Sequence, residues 1–218
     1  RVIVGEPIGA MYGYVFDGIH QTGNPEGAVP GTLKYRDLNG DAFIDDENDR
    51  TIIGDSNPLH IGGLNNSFTY KNFNFSFSWQ WSYGNDVFNA AKLKTNGLQP
   101  FMNLTSDYYE NAWTPENPSN SAPGYGQIEA VASSYFVEDA SFLRLKTVNL
   151  SYNIPKKVFA ASQISSIRLF LSANNLLTIT NYSGFDPEVS SNNPLLRGFE
   201  RFSYPRSTTV TMGLNIKF

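Results

Sequence analysis

Cysteine is absent from the 218 residues, which excludes a disulfide framework and a thiolate metal site. Histidine occurs only twice, at His20 and His60. Neither stands in a motif that would set an imidazole against a nucleophile, so no hydrolase triad can be argued. His60, followed by Ile61 and Gly62, reads as a strand-end residue. No glycine-rich loop of the phosphate- or dinucleotide-binding type is present. An enzyme is therefore not expected. Charge is sparse as well, at 17% of residues with a net value of −4, too mild to suggest a nucleic-acid partner. No stretch approaches the ~20 apolar residues that a membrane helix needs. What the chain has in quantity is aromatic and turn-forming residues: 16 Phe, 12 Tyr, 18 Gly and 12 Pro. That mixture favours strands and turns over helices.

Residues 73–81 carry the clearest pattern. Phe73, Phe75, Phe77, Trp79 and Trp81 alternate with Asn74, Ser76, Ser78 and Gln80. Successive side chains of a strand point to opposite faces, so one face is wholly aromatic and the other neutral polar. A soluble sandwich would bury the aromatic face beneath a second sheet. A transmembrane barrel would turn it to lipid and keep the polar face for a wet lumen.

Further strand candidates are Ile8–Ile19, with Ile8, Ala10, Tyr12, Tyr14 and Phe16 on one face, and a segment in which Leu64, Phe68 and Tyr70 share a face. The latter leads through a hairpin-length turn at Tyr70-Lys71-Asn72 into the aromatic strand. Glu138–Ile154 is a fourth candidate. Its early apolar residues, Leu143 and Leu145, have the opposite parity to Val148, Leu150 and Tyr152. One extra residue flips every later side chain, so a bulge near Lys146 would reconcile the halves. Ile167–Asn174 and Val210–Phe218 complete six strands. The connections alternate: long 21–58, short 70–72, long 85–135, short 155–165, long 178–205. Only 101–113 offers a helical turn or two. A meander with short turns on one side and long loops on the other gives this rhythm, as outer-membrane barrels do. The fold class expected is all-β, an antiparallel up-and-down transmembrane barrel segment. The alternative is a soluble or surface β-sandwich that binds carbohydrate.

Several longer stretches carry more specific information. They are Gly5-Glu6-Pro7-Ile8-Gly9 with Tyr12-Gly13-Tyr14, Asp37-Leu38-Asn39-Gly40-Asp41 with Ile52-Ile53-Gly54, and Gly62-Gly63-Leu64-Asn65-Asn66-Ser67-Phe68. Later come Glu138-Asp139-Ala140-Ser141-Phe142-Leu143-Arg144, Ser151-Tyr152-Asn153-Ile154-Pro155, Asn174-Asn175-Leu176-Leu177-Thr178 and Gly184-Phe185-Asp186-Pro187-Glu188. In this order they resemble the C-terminal part of the SusC/RagA-type TonB-linked outer-membrane transporters of Bacteroidetes, over essentially the whole chain. The resemblance implies that residues 1–218 form part of a ~22-stranded plugged barrel. It implies import of oligosaccharide or peptide nutrients across the outer membrane and a SusD-like surface lipoprotein as partner. It also implies TonB contact through a plug-bearing N-terminal region outside these residues. The start at Arg1, without an initiator Met, reads as a piece or a processed product.

Four groups of residues are candidate sites. In the lumen-facing reading, Asn74, Ser76, Ser78 and Gln80 join Arg168, Ser172 and Asn174 on the polar parity, with Phe170 among them. Lys217 shares that parity but reads as a membrane-edge residue reaching water. The acidic loop 37–49 holds six of the chain's 20 acidic residues. A calcium loop supplies oxygens at positions 1, 3, 5, 7 and 9 and a closing acid. Asp37, Asn39, Asp41, the Phe43 carbonyl and Asp45 match the first five, and Asp49 is displaced by one from the closing position. Ala42 replaces the usual glycine of the sixth position, and Ca²⁺ is the structural ion expected. Aromatics in the long loops (Tyr108, Tyr109, Trp113, Tyr125, Phe185) suit stacking on sugars, covering a docked partner, or packing a loop on itself. Finally, Phe218 closes an alternating last strand, which looks like the signal read by the barrel-assembly machinery.

Overall fold

The computed structural model describes residues 2–25, 27–97, 103–160, 163–189 and 193–218. The chain divides into two compact units. One is built from residues 58–84, 140–182 and 204–218, and the other from 1–57, 85–139 and 183–203.

The first unit is a single antiparallel sheet of five strands: β5 (His60–Tyr70), β6 (Phe73–Tyr83), β9 (Phe142–Ile154), β10 (Ser166–Thr180) and β12 (Thr209–Lys217). Their spatial order is β12-β10-β9-β6-β5, a meander in chain order. β5 and β6 join through Lys71 and Asn72, with Tyr70 opposite Phe73 and Lys71 at φ 52°. The β9–β10 connection leaves the sheet at the same end, because Phe73 pairs with Tyr152.

Register makes the sheet two-faced throughout. Opposite Phe73, Phe75 and Phe77 stand Tyr152, Leu150 and Val148, and opposite those stand Leu169, Leu171 and Ala173. Leu214, Met212 and Val210 continue the same rows onto β12. Paired residues share a face, so an apolar surface runs across five strands, reaching Tyr70 and Phe68 on β5, where Asn66 stands opposite Phe77. Its rings gather locally, with Phe68 to Phe77 at 6.2 Å and Phe73 to Tyr152 at 4.5 Å. Among the described residues of this unit no opposing sheet covers it. Phe68, Phe73, Phe75, Leu150, Leu169, Leu171 and Leu214 are exposed, and Met212 is 83% exposed. Two large rings lie over glycines across a strand pair. A Cβ on Gly62 would sit 2.2 Å from the Trp81 ring and one on Gly213 2.3 Å from the Phe170 ring, so neither position accommodates a side chain without displacing its neighbour.

The bulge sits where the parity switch required it. Ser78 pairs with Thr147 and Trp79 with Leu145, leaving Lys146 as the extra residue of β9. Leu143 and Leu145 thereby join Val148, Leu150 and Tyr152 on the apolar face. On the other flank β10 shifts register between Asn174 and Leu177, with Asn175 at φ 50°.

Three expectations about strands are corrected. Ile8–Ile19 is not one strand of the large sheet. It splits into β1 (Ala10–Tyr14), paired with β4 (Arg50–Asp55), and β2 (Phe16–Ile19), paired with β3 (Leu33–Tyr35). The backbone changes partner at Val15, whose carbonyl accepts from Arg36 N at 2.9 Å. The large sheet therefore has five strands here, not six. Glu138–Ile154 likewise divides at Ala140 and Ser141: β8 (Val137–Asp139) pairs with β7 (Asp86–Asn89), and only β9 enters the large sheet. Ser141 Oγ caps the break by accepting from Gly84 N at 2.9 Å. β10, in turn, runs on past Asn174 to Thr180.

The second unit gathers β1 to β4, β7, β8 and β11 (Phe199–Glu200, parallel to β7) with helices α1 (Lys92–Thr95) and α2 (Ser106–Asn111). Thr105 caps α2 by accepting from Tyr108 N. Positions 101 and 102 of the expected helical stretch lie outside the described residues. Phe136 is fully buried, 5.5 Å from the Phe88 ring, which stacks in turn on Phe199 at 5.5 Å. Tyr108, also buried, donates its hydroxyl to the carbonyls of Pro123 and Gly124, each at 3.0 Å.

Candidate functional site

The polar face of the sheet is the first candidate. Register aligns Asn74 with Ser151, Ser76 with Asn149, Ser78 with Thr147 and Gln80 with Arg144. It then aligns Ser151 with Phe170, Asn149 with Ser172 and Thr147 with Asn174. Five of the residues named from sequence are held by cross-strand bonds. Ser172 Oγ donates to Asn149 Oδ1 at 2.7 Å, and Asn149 Nδ2 to Ser76 Oγ at 3.4 Å. Arg168 donates to Ser151 Oγ at 2.9 Å, and Asn74 Oδ1 accepts from Thr69 at 2.9 Å. The bulge residue Lys146 donates to Gln80 Oε1 at 2.5 Å. Asn149 and Ser151 were not among the lumen-facing residues expected from sequence; strand pairing with Ser76 and Phe170 brings them in, and Lys146, expected only as the bulge, joins them through its side-chain bond to Gln80. Such a surface offers many neutral donors and acceptors and few charges, which suits contact with water and polar solutes. Arg144, 2% exposed, donates to Thr178 Oγ1 at 3.1 Å and lies against the Phe142 ring.

The acidic loop is ordered by its own backbone. Asp37 accepts from Gly40 N at 2.6 Å and Ala42 N at 2.7 Å, and Asp41 from Phe43 N at 2.9 Å. Asp45 accepts from Glu47 N and Asn48 N, each at 2.8 Å. Asn39 Nδ2 donates to Asp41 at 2.8 Å. Amides of Gly40 and Ala42 hold the Asp37 carboxyl below its usual range, and amide and side-chain bonds from Asn48 do the same for Asp45. Asp49 differs from the rest. It is fully buried and spends one oxygen on Leu38 N at 2.7 Å and the other on Asp45 N at 2.8 Å, which clasps the two ends of the loop together. Ala42 takes φ 66°, the left-handed turn that the sixth position of a calcium loop requires. Among the described residues no group of three or more His, Cys, Asp or Glu side chains converges in a metal-binding cluster. Beside the loop, Asp46 accepts from Tyr14 Oη and pairs with Arg50 at 2.6 Å. Arg50 also lies 4.8 Å above the Tyr14 ring.

The loop aromatics have separate surroundings. Tyr108 is core, and Trp113 donates to Gln21 Oε1 at 2.8 Å. Tyr109 and Tyr125 pack on each other, their centroids 6.3 Å apart, and Tyr125 donates to the Tyr109 carbonyl. Phe185 stands open. Phe218, at the end of β12, is exposed.

No family model matches the chain. Curated proteins and solved structures do. TonB-dependent receptor P3 of Formosa agariphila is 37% identical over 228 residues, spanning 98% of this chain and 22% of that protein. TonB-dependent receptor SusC of Bacteroides thetaiotaomicron is 29% identical over 207 residues, spanning 92% of this chain and 19% of SusC. Among solved structures, the RagAB peptide importer in its open-open state superimposes with a TM-score of 0.74 at 26% identity, over 96% of this chain and 22% of that chain. The chain thus spans about a fifth of the length of the curated relatives it matches. Agreement of sequence and fold along nearly the entire length identifies the chain as a segment of the SusC/RagA type of TonB-dependent receptor.

Proposed function

We propose that this chain forms part of the wall and loops of an outer-membrane TonB-dependent importer of oligosaccharide or peptide nutrients. The observation that carries the reading is the bare aromatic face of the five-stranded sheet, backed by a hydrogen-bonded polar face. In this reading the segments 21–58, 85–135 and 178–205 lie on the extracellular side. A SusD-like surface lipoprotein docks there, and TonB acts through regions beyond these residues. Asn74, Ser76, Ser78, Gln80, Arg168, Ser172 and Asn174 line the lumen, lipid covers the opposite face, and Phe218 is read by the barrel-assembly machinery. The role is transport and not catalysis.

Tryptophan position tests it. Trp79 and Trp81 lie on the apolar face, whereas Trp113 belongs to the other unit. A brominated detergent quenches indoles that touch its chains. The Trp113→Phe chain should therefore be strongly quenched, and the Trp79→Phe/Trp81→Phe double variant hardly at all. Equal quenching of both would remove the lipid-facing assignment.

We further propose that the acidic loop takes Ca²⁺ as a structural ion through Asp37, Asn39, Asp41, the Phe43 carbonyl and Asp45, with Asp49 holding the loop closed. The left-handed turn at Ala42 supports this fit. Limited proteolysis between residues 37 and 49 should slow in Ca²⁺ relative to EGTA, and Asp41→Ala should abolish the difference. Identical cleavage in Ca²⁺ and EGTA would leave the loop as a purely backbone-ordered turn.

A further inference from the structure

A cavity of about 460 Å³ opens among β1, β4, β7 and β11, and every residue lining it belongs to the second unit. Its volume falls within the ~300–1,000 Å³ of small-molecule sites. The Phe88 ring, held between Phe136 and Phe199 at 5.5 Å from each, is a fixed part of its wall. Met11, Ile53 and Leu195 supply more of it. Leu195 lies in the single 3₁₀ turn Pro194–Leu196 and is 65% exposed, so the apolar lining is reached directly from water. Of the lining side chains only Tyr12 and Arg197 carry a polar group.

This composition separates ligand classes. A neutral glycan would lose water from its hydroxyls and find few partners in return. A peptide would lose water from backbone amides and carbonyls, each of which needs a partner when buried. An unbranched hydrocarbon chain leaves nothing unpaired and gains with every methylene it buries.

Arg197 supplies the other half of the selection. Its Nη1 donates to Asn57 Oδ1 at 3.2 Å. Asn57 is itself fixed, its amide nitrogen donating to the Ile8 carbonyl at 2.9 Å and to Asp55 Oδ1 at 2.8 Å. A neutral amide oxygen leaves the guanidinium charge unbalanced, and among the described residues Arg197 forms no ion pair. The rest of its planar donor fork has the geometry that a carboxylate takes up in parallel bonds. One unbalanced cation on an apolar cavity matches one anion joined to an apolar tail.

We infer that this cavity binds a medium-chain fatty acid, its aliphatic chain against Phe88, Phe199, Met11 and Leu195 and its carboxylate on Arg197. The site stands apart from the wall and lumen of the large sheet, and neither reading depends on the other.

Photolabelling of the full chain in lipid nanodiscs tests it, with a decanoate that carries a diazirine at its far end and peptide mapping as the readout. Label should fall on the peptide spanning Leu195 to Phe199 or the one spanning Ile8 to Tyr12, and unlabelled decanoate should displace it. Probe dissolved in the bilayer labels the large sheet and serves as the reference. At equal free concentration octanoate should displace less well than decanoate, by about fourfold per methylene. Decanol, which lacks the charge, should displace about tenfold less well than decanoate. Arg197→Gln should weaken decanoate binding by a similar factor, and Leu195→Glu, at an exposed position, should abolish the cavity label. Neither variant should alter the label on the sheet. Trileucine should not displace the probe. Absence of label at the cavity, decanol as effective as decanoate, parent-like binding by Arg197→Gln, or displacement by trileucine would each overturn the site.

Discussion

Phe77→Lys should cost about 2–4 kcal/mol in a reversible refolding titration into lipid bilayers, the penalty for a cation near the bilayer midplane. Ser78→Lys, one residue on, should cost far less, because Ser78 shares the polar face with Thr147. The asymmetry alone does not separate lipid from a covering layer of protein, since either would resent a buried ammonium. Met212→Lys does. Met212 is 83% exposed on the apolar face of β12, so in a water-soluble protein the substitution should be almost free. Turned to lipid it should carry a penalty of the same kind as Phe77→Lys, scaled by its depth. Equal costs at Phe77 and Ser78, or no cost at Met212 in bilayers, would contradict the assignment of the aromatic face to hydrocarbon.

Phe136→Ala should have the largest effect, about 3–5 kcal/mol, because a fully buried ring is removed and a cavity remains. Set against a typical total of ~5–15 kcal/mol, that is enough to unfold a marginal unit. The damage should be local. Phe136 packs on Phe88 and Tyr135, both in its own unit. Hydrogen exchange should show amides of β7 and β8 losing protection while those pairing β9 with β10 keep theirs. A cost below ~1 kcal/mol would deny Phe136 its place in the core. Simultaneous loss of protection in the large sheet would show that the two units unfold as one.

The large sheet was legible because its chemistry is written in period two. Nothing but a strand makes sense of Phe73 to Trp81, and the parity switch after Leu145 called for the bulge that Lys146 supplies. The second unit was hidden for a physical reason. Its strands are two to six residues long, too short for alternation to rise above noise, and their partners lie far away in sequence. Ile8–Ile19 misled because its alternation runs straight through Val15, where the backbone changes partner. In the acidic loop the spacing of the acidic residues could be read, but the task of Asp49 could not. Its burial depends on the amides of Leu38 and Asp45, which spacing does not reveal.

Two register shifts, one setting Lys146 of β9 against Ser78/Trp79 of β6 and one at Asn174/Leu177 of β10, fall at one level across three adjoining strands. Together they act as a crease ruled across the ribbon. Extra residues on one strand sharpen its local coil and bend it away from flatness. A cylinder assembled from such staves would inherit part of its girth from two inserted residues, one on β9 and one on β10.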